Sequence, residues 1–584
     1  MAAQRATATA VPTCGNRTGA RRPPHIAFLM ADDLGFADTG FAGSPLIRTP
    51  FLDTLAREAV HMTHFRAPTW CAPSRAAFLT GRHGWELGIA ASQGWTVLGK
   101  DVLLLSEVLK EVGYHTAIVG KFHFNPALRR HHPSGTAGFG CGFDQQYGFV
   151  GGQMDYYAHH PSWSRDGKQL REEGYATELF AAEAERVVLA HGRLRPTQPL
   201  FLWMAPNAPH TPMQAPKAAL ERFGADLHPE VRLYAAMVFS MDEGYARLHA
   251  ALRRAGMLSN TLTAFVSDNG GPSMPSICNG GLRGGKGTSF EGGVRVPAFV
   301  HWPRCLGRGR GGPRQTSAAG HMVDWFVTLA EAAAVGLPEA QHQKLMQRVR
   351  HKAPHSLSLW PYLADSAPLG AMEKRQLVLQ VGAPCSGVLR GRWKLVMASP
   401  RCLNTSLRDV DFQQPMRGFM AHRYLLDSKR GHGGADEHVH GTHAHSAATA
   451  LGVGDGDGAG HGDAPTPEAR LRAARAMGVQ MQLFDLHNDP AERHDQLSGR
   501  NASVRAATAS ALLGHYLSAL RVAHRAVGQA QQEGRLAPEA VKVWFCRQVY
   551  ESWAPEVWSR YHSWTCNNRR GELTKLASVR LASS

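Results

Sequence analysis

The chain has 584 residues, 43% of them apolar and 19% charged, the balance of an ordinary globular protein and not of a disordered one. Lys and Arg number 64 against 47 Asp and Glu, a formal charge of +17, so the surface favours acidic partners: nucleic acid, an anionic membrane, or a sulfated or phosphorylated substrate. No aromatic-interleaved basic module or zinc-finger spacing supports nucleic acid, and no apolar run of about 18 residues supports a transmembrane segment.

The length allows two domains, at roughly 100–200 residues each. Residues 1–24 hold four Arg, no acid and no apolar core, so they are expected to form a disordered leader, with no signal peptide visible. His25 to Met30 is a continuous apolar run, the pattern of a strand buried on both faces. Asp32 and Asp33 follow at once. Two adjacent carboxylates at a buried strand end require a counter-cation, for which a divalent metal is the economical choice; a helix N-cap is the alternative.

Cys71 to Gly81 predicts a short helix, with Pro73 in its first turn and Gly81 as its stop. Cys71 then sits at a positive helix end near Arg75, a place that favours an anion or a nucleophile meeting one. A buried, inert cysteine is the alternative. Residues 101–113 predict a helix closed by Gly113, and Thr116 to Val119 a strand running into Lys121 and His123. In extended chain those two side chains share a face, suited to an oxyanion or, more simply, to a solvated strand end.

Pro199 to Ala205 is a third buried strand, leading into a Pro-rich loop with His210. Residues 230–255 predict a helix whose Leu233, Met237, Met241, Leu248 and Leu252 form one core stripe. Strand Thr261 to Val266 delivers Asp268 and Asn269. The run from Gly281 to Gly287 invites a phosphate-loop reading, but Gly287 stands where Ser or Thr would hold magnesium; what survives is Lys286 in a glycine-lined turn. Four strands that each end in Asp, Lys, His or Asn, with helices between, predict a doubly wound α/β sheet with its site at the strands' carboxyl ends. Cys71 and Lys286 would complete that site from loops.

From about residue 370 the texture changes. Leu377 to Val381, Val388 to Arg390, Arg392 to Val396 and Met481 to Phe484 are strand-like runs at hairpin spacing, with a helix near 501–525. They predict a smaller α+β domain on an antiparallel sheet. Residues 430–467, rich in Gly, His, Ala and Asp, are expected to be a disordered insertion. The expected organisation is a catalytic domain over 25–370, a C-terminal subdomain over 371–530 and an extension over 531–584. Nine cysteines are scattered without a Cys-x-x-Cys, and Asn-x-Ser/Thr acceptors occur at Asn16, Asn404 and Asn501.

Cys71-Ala-Pro-Ser-Arg75, with Leu-Thr-Gly ending at Gly81, resembles the signature of the type I, formylglycine-dependent sulfatases. Asp32-Asp-Leu-Gly-x-x-Asp38, Gly120-Lys-Phe-His123, Pro209-His-Thr-Pro212, Glu291 to Pro297, Arg392-Trp-Lys-Leu395 and Leu483 to Glu492 follow in that family's order. The text from Gly142 to Tyr157 is similar to the arylsulfatase B (N-acetylgalactosamine-4-sulfatase) branch. The resemblance implies an alkaline-phosphatase-like mixed sheet and a Cys71 oxidised to 3-oxoalanine (formylglycine) by a formylglycine-generating enzyme. It further implies Ca2+ held by Asp32, Asp33, Asp268, Asn269 and the modified Cys71, oxygen donors that suit calcium better than zinc.

By the same resemblance Arg75, Lys121 and Lys286 neutralise the sulfuryl oxygens, Asp268 accepts a proton, His210 protonates the leaving alcohol and His123 helps to expel sulfate. The substrate would be a sulfated sugar or an aryl sulfate, and the compartment the secretory pathway. Three alternatives stay open: a phosphonate or phosphate ester hydrolase of the same superfamily, a non-catalytic sulfated-glycan binder if Cys71 is unmodified, and a hydrolase using the Cys71 thiol directly.

Overall fold

The computed structural model describes residues 22–89, 98–99, 101–124, 141–272, 278–306, 314–365, 368–369, 374–381, 385–398, 466–467, 469, 471, 480–498 and 502–532. Most of the leader, most of the 430–467 insertion, the three Asn-x-Ser/Thr acceptors and nearly all of the 531–584 extension lie outside the described residues.

The run predicted from His25 is β1, His25–Ala31, hydrogen-bonded on both sides to parallel neighbours, β7 (Leu200–Ala205) and β8 (Thr261–Ser267). Its alternate residues feed two separate cores. Ile26, Phe28 and Met30 pack on one face of the sheet, where the Phe28 ring stacks on Phe78 at 4.1 Å. Ala27, Leu29 and Ala31 pack on the other, with Ala184, Met237 and Tyr245. Burial on both sides is why the segment reads as an unbroken apolar run, each large side chain contributing roughly 1.5–3 kcal/mol.

The remaining strands of this sheet are β2 (Val60–Met62), β3 (His115–Lys121), β4 (Gln145–Phe149), β5 (Ser164–Arg165), β6 (Lys168–Gln169), β9 (Ala298–His301) and β10 (Arg314–Thr316). Their order is β10-β2-β9-β8-β1-β7-β3-β4-β5-β6. The central five, β8-β1-β7-β3-β4, are parallel; β9 and β5 run antiparallel to them, so the sheet is mixed as expected.

Helices α1 (Pro50–Ala56), α2 (Cys71–Thr80), α3 (Leu105–Glu111), α4 (Ala176–Leu194), α5 (Lys217–Leu220), α6 (Pro229–Arg254), α7 (Glu291–Val294), α8 (Asp324–Ala333), α9 (Glu339–Lys352) and α10 (Trp360–Leu363) connect these strands. Two sequence expectations need correction. The helix predicted over 101–113 begins only at Leu105, because Leu104 is extended and the Glu107 carboxylate takes its N–H at 3.0 Å, a side-chain cap that fixes the start. In α6 the inward stripe runs through Tyr234 and Tyr245 with Met237, Met241, Leu248 and Leu252, and Leu233 lies at its half-buried edge.

The texture change near 370 is a second sheet, antiparallel β11-β12-β13-β14: Gln376–Gln380, Cys385–Arg390, Trp393–Ala398 and Gln480–Asp485. Leu395, Met397 and Leu483 pack under α11 (Ala502–Gln532), against Leu512, Leu513 and Tyr516. A buried charge network joins the two sheets. Glu291, at the start of α7, takes Arg66 at 2.8 Å and the Lys394 ammonium of β13 at 2.8 Å. Lys394 also reaches Glu492 at 2.9 Å, and the Glu492 carboxylate accepts the Glu291 N–H at 2.5 Å. Among the described residues no helix is long and apolar enough to cross a membrane.

Candidate active site

Every central strand ends at the same rim of the sheet, and the predicted residues gather there. β1 runs straight into Asp32 and Asp33. Asp33 adopts φ +67, a left-handed conformation that Asp tolerates, and this break in the strand alternation lets consecutive carboxylates serve one site. Its N–H donates to Asp268 Oδ1 at 3.3 Å, while Asp32 N–H donates to the Ala208 carbonyl at 3.1 Å, so β1, β7 and β8 are tied at this rim. Oxygens of Asp32, Asp33 and Asp268 lie within 4.8 Å of one another, all three residues buried.

Helix α2 aims its first residue at this cluster. It is buried throughout, begins at Cys71 with extended Trp70 as its cap residue, and stops at Gly81, where φ is +64. A side chain at Gly81 would put its Cβ 2.5 Å from Ala353 Cβ and 2.9 Å from Phe326 Cβ, so glycine is what fits between α2, α8 and the end of α9. Cys71 Sγ, an Asp32 oxygen and a ring nitrogen of His210 lie within 4.8 Å of one another, and Cys71 is outside any disulfide.

One turn on, Arg75 clamps Asp268 Oδ2 through Nε and Nη2 at 3.0 and 2.9 Å, and donates to the Lys121 carbonyl at 2.5 Å. Lys121 Nζ lies 2.6 Å from Asp32, and Lys286 Nζ 2.6 Å from Asp33. Three carboxylates therefore face three cations. Burial alone would raise Asp32, but Lys121, His210 and Arg75 hold it well below the usual carboxylate range. Asp268, beside it, is pushed up to about 7 by burial and by the Asp32 charge, against the pull of Arg75.

His123 corrects the sequence reading. Its φ is +76, so Lys121 and His123 are not successive same-face positions of an extended strand. The chain turns after β3 ends at Lys121, yet His123 remains buried in the field of Lys121 and Arg75; burial first, then those two charges, hold its ring well below the ordinary histidine value. His210 Nε2 stands 3.6 Å from Asp33 and its Nδ1 pairs with the Thr211 carbonyl at 2.6 Å; burial lowers it to about 4. Lys286 lies in the glycine-lined turn expected of it, 5.7 Å over the Trp70 ring.

The residues also pass a test as a metal site. Asp32 Oδ1 and Asn269 Oδ1 are buried without a hydrogen-bond partner among the described residues, while Asn269 Nδ2 donates to Asp33 at 2.8 Å and so turns its oxygen elsewhere. Unsatisfied oxygens beside a three-carboxylate cluster fit a hard divalent cation. Sequence reasoning missed the supports of this arrangement. Tyr234, from α6, donates to Asp38 at 2.8 Å or the Asp33 carbonyl at 3.1 Å, and Tyr156 to the Asn207 carbonyl at 2.7 Å or the His210 carbonyl at 2.8 Å. A polar-tipped ring in a helical stripe otherwise made of Met, Leu and Tyr245 was the available signal for Tyr234.

Residues 24–335 match the family model described as Sulfatase. The chain belongs to the sulfatase family. Among curated relatives it is 35% identical over 332 residues to arylsulfatase J of Mus musculus, covering 54% of this chain and 53% of that protein. It is 31% identical over 353 residues to N-acetylgalactosamine-6-sulfatase of Rattus norvegicus, covering 55% of this chain and 64% of that one. The chain thus spans between about half and two thirds of the curated sulfatases it matches. The crystal structure of Ps i-CgsB aligns with a TM-score of 0.60 at 25% identity, over 85% of this chain and 92% of that one. These sulfatases do not single out the arylsulfatase B branch expected from residues 142–157.

Proposed function

We propose that this chain hydrolyses sulfate esters, with Cys71, converted to formylglycine, as the nucleophile-bearing residue. The observation that carries the reading is the placement of Cys71 at the buried start of α2, within 4.8 Å of Asp32 and His210 and beside the three-carboxylate cluster. The hydrated aldehyde supplies the attacking hydroxyl that a thiol lacks. Asp32, Asp33, Asp268 and Asn269 would hold Ca2+, whose charge when bound offsets that of the sulfuryl oxygens.

The protein's own side chains account for the rest. Arg75, fixed on Asp268, and Lys121, fixed on Asp32, present cations that cannot swing away, so charge stabilisation requires little reorganisation. Lys286, with its side chain 14% exposed against 0% for Arg75 and Lys121, is the cation nearest solvent. Asp268, held by Arg75, would accept the proton of the attacking hydroxyl. His210 donates its Nδ1 proton to the Thr211 carbonyl and, lowered to about 4 by burial, keeps Nε2 bare near neutrality, so Nε2 would have to take up a proton in the reaction before passing it to the leaving alcohol; His123 would assist the release of sulfate.

The substrate we propose is a sulfated carbohydrate, supported by the charge of +17 and by relatives such as N-acetylgalactosamine-6-sulfatase. Disulfide bonds at Cys305 and Cys385 support passage through an oxidising secretory compartment, where a formylglycine-generating enzyme would act. Mass spectrometry of the peptide carrying Cys71, together with initial rates on 4-nitrophenyl sulfate and 4-nitrophenyl phosphate, tests the proposal. Formylglycine and a preference for the sulfate are expected; unmodified Cys71 with no sulfate release, or a faster phosphate reaction, overturns it.

A further inference from the structure

The charged groups of the site find partners in one another, but one buried amide beside them does not. Asn207 lies two residues past the end of β7, is 0% exposed, and neither its Nδ2 nor its Oδ1 has a hydrogen-bond partner among the described residues. A desolvated amide left unbonded at both ends is unfavourable unless something that binds completes it. The local backbone is fixed from three sides. The Asn207 carbonyl accepts from His210 N–H at 2.8 Å and from the Tyr156 hydroxyl at 2.7 Å, and the next carbonyl, of Ala208, accepts from Asp32 N–H at 3.1 Å. Asn207 is thereby held between the Asp32 backbone and His210.

Two further unpartnered buried oxygens at the carboxyl ends of neighbouring strands, on Asp32 and Asn269, are those assigned above to ligand binding. Depth indicates which end of an ester Asn207 would meet. Asp32, Arg75 and Lys121 are, like Asn207, 0% exposed, whereas Lys286 keeps 14% of its side chain in solvent. We infer that Asn207 is a substrate-binding residue for the sulfuryl group, donating Nδ2–H to a sulfuryl oxygen and leaving Oδ1 to a hydroxyl or water that enters with the ester. This assignment rests on the sulfate-ester reading.

Asn207→Leu keeps the shape and removes both polar atoms; Asn207→Asp keeps the shape and sets a negative charge against sulfate. Three quantities are measured on the calcium-supplemented full chain: the thermal midpoint without ligand, its rise on adding inorganic sulfate, and kcat and KM on 4-nitrophenyl sulfate. Asn207→Leu is expected to keep or raise the ligand-free midpoint, to lose the sulfate-induced rise, and to lower kcat by about 10²–10³, the effect of deleting one oxyanion donor. Asn207→Asp is expected to lose at least as much, and it decides by the same readouts if Asn207→Leu does not fold.

A variant with a lowered ligand-free midpoint but the full sulfate-induced rise and wild-type kcat/KM shows a structural amide and overturns the inference. So does a wild-type protein with no sulfate-induced rise. A wild-type protein stabilised by sulfate but inactive on 4-nitrophenyl sulfate refutes the hydrolase reading, while the variants' thermal response still decides the role of Asn207.

Discussion

Lys394→Met tests whether the charge network between the two sheets is held by mutual compensation. Met fills a similar volume, so the change is chiefly one of charge. In the intact network Arg66 and Lys394 oppose Glu291 and Glu492, with the side chains of Lys394, Glu291 and Glu492 at most 1% exposed. Without Lys394, Arg66 is the one cation left in a direct ion pair with the two buried carboxylates, Arg295 and Arg283 acting on them only through the field, and breaking a buried pair in this way costs about 3–5 kcal/mol. Proton uptake by Glu492 is the escape. Burial, opposed by Lys394, already pushes Glu492 up to about 7 from an ordinary 4.5, and the variant removes that opposition.

A carboxyl whose folded pKa lies above its unfolded one contributes stability that is present at low pH and lost as pH rises through the folded pKa. The loss amounts to about 1.4 kcal/mol for each pH unit between the two pKa values. The deficit of Lys394→Met relative to wild type should therefore grow with pH. Urea unfolding is expected to show a loss of about 3–5 kcal/mol at about pH 8.5, shrinking by at least ~1–2 kcal/mol at about pH 5.5. Adding Glu492→Gln should recover most of the loss at the higher pH. A deficit independent of pH, one below about 1 kcal/mol throughout, or no recovery in the double variant would refute the reasoning.

Cys71→Ser should retain the fold but lose multiple turnover of 4-nitrophenyl sulfate, since a serine ester lacks the second hydroxyl that ejects sulfate; steady release of nitrophenol at the wild-type rate contradicts this. Lys286→Met should lower kcat by about 10²–10³ with a small change in thermal midpoint, because its ammonium is the least buried of the three cations at the site. Gly81→Ala combines a left-handed φ, costing about 1–2 kcal/mol, with a Cβ 2.5 Å from Ala353 Cβ, costing about 1–3 more. Gly167→Ala, at φ +79 with nothing within 4 Å, should cost only the first part; equal losses in the two denaturation curves would contradict the packing account.

Much of this was legible along the chain because the central strands are buried on both faces. Apolar runs at His25, Thr116, Pro199 and Thr261 became β1, β3, β7 and β8, each ending beside the polar residues read from it. Cys71 and Gly81 likewise mark the start and stop of α2. What escaped depends on tertiary partners. The start of α3 is set by a side-chain cap, and the turn at His123 by a backbone angle that no periodicity encodes. Tyr234 hides among aliphatic neighbours, and Asn207 has no signal until its burial and missing partners are seen together.

The division of labour within β1 carries a consequence for how this sequence can change. Odd-numbered residues of the strand belong to one layer and even-numbered ones to the other, with Asp32 and Asp33 spliced directly onto the end. Deleting or inserting a single amino acid there would trade the two layers' occupants, asking Phe28 and Met30 to fit where Ala27 and Ala31 now sit, and would carry Asp32 out of phase with its neighbours. Length variation among related chains should accordingly collect in the loops and spare this segment, however freely its individual aliphatic letters are exchanged.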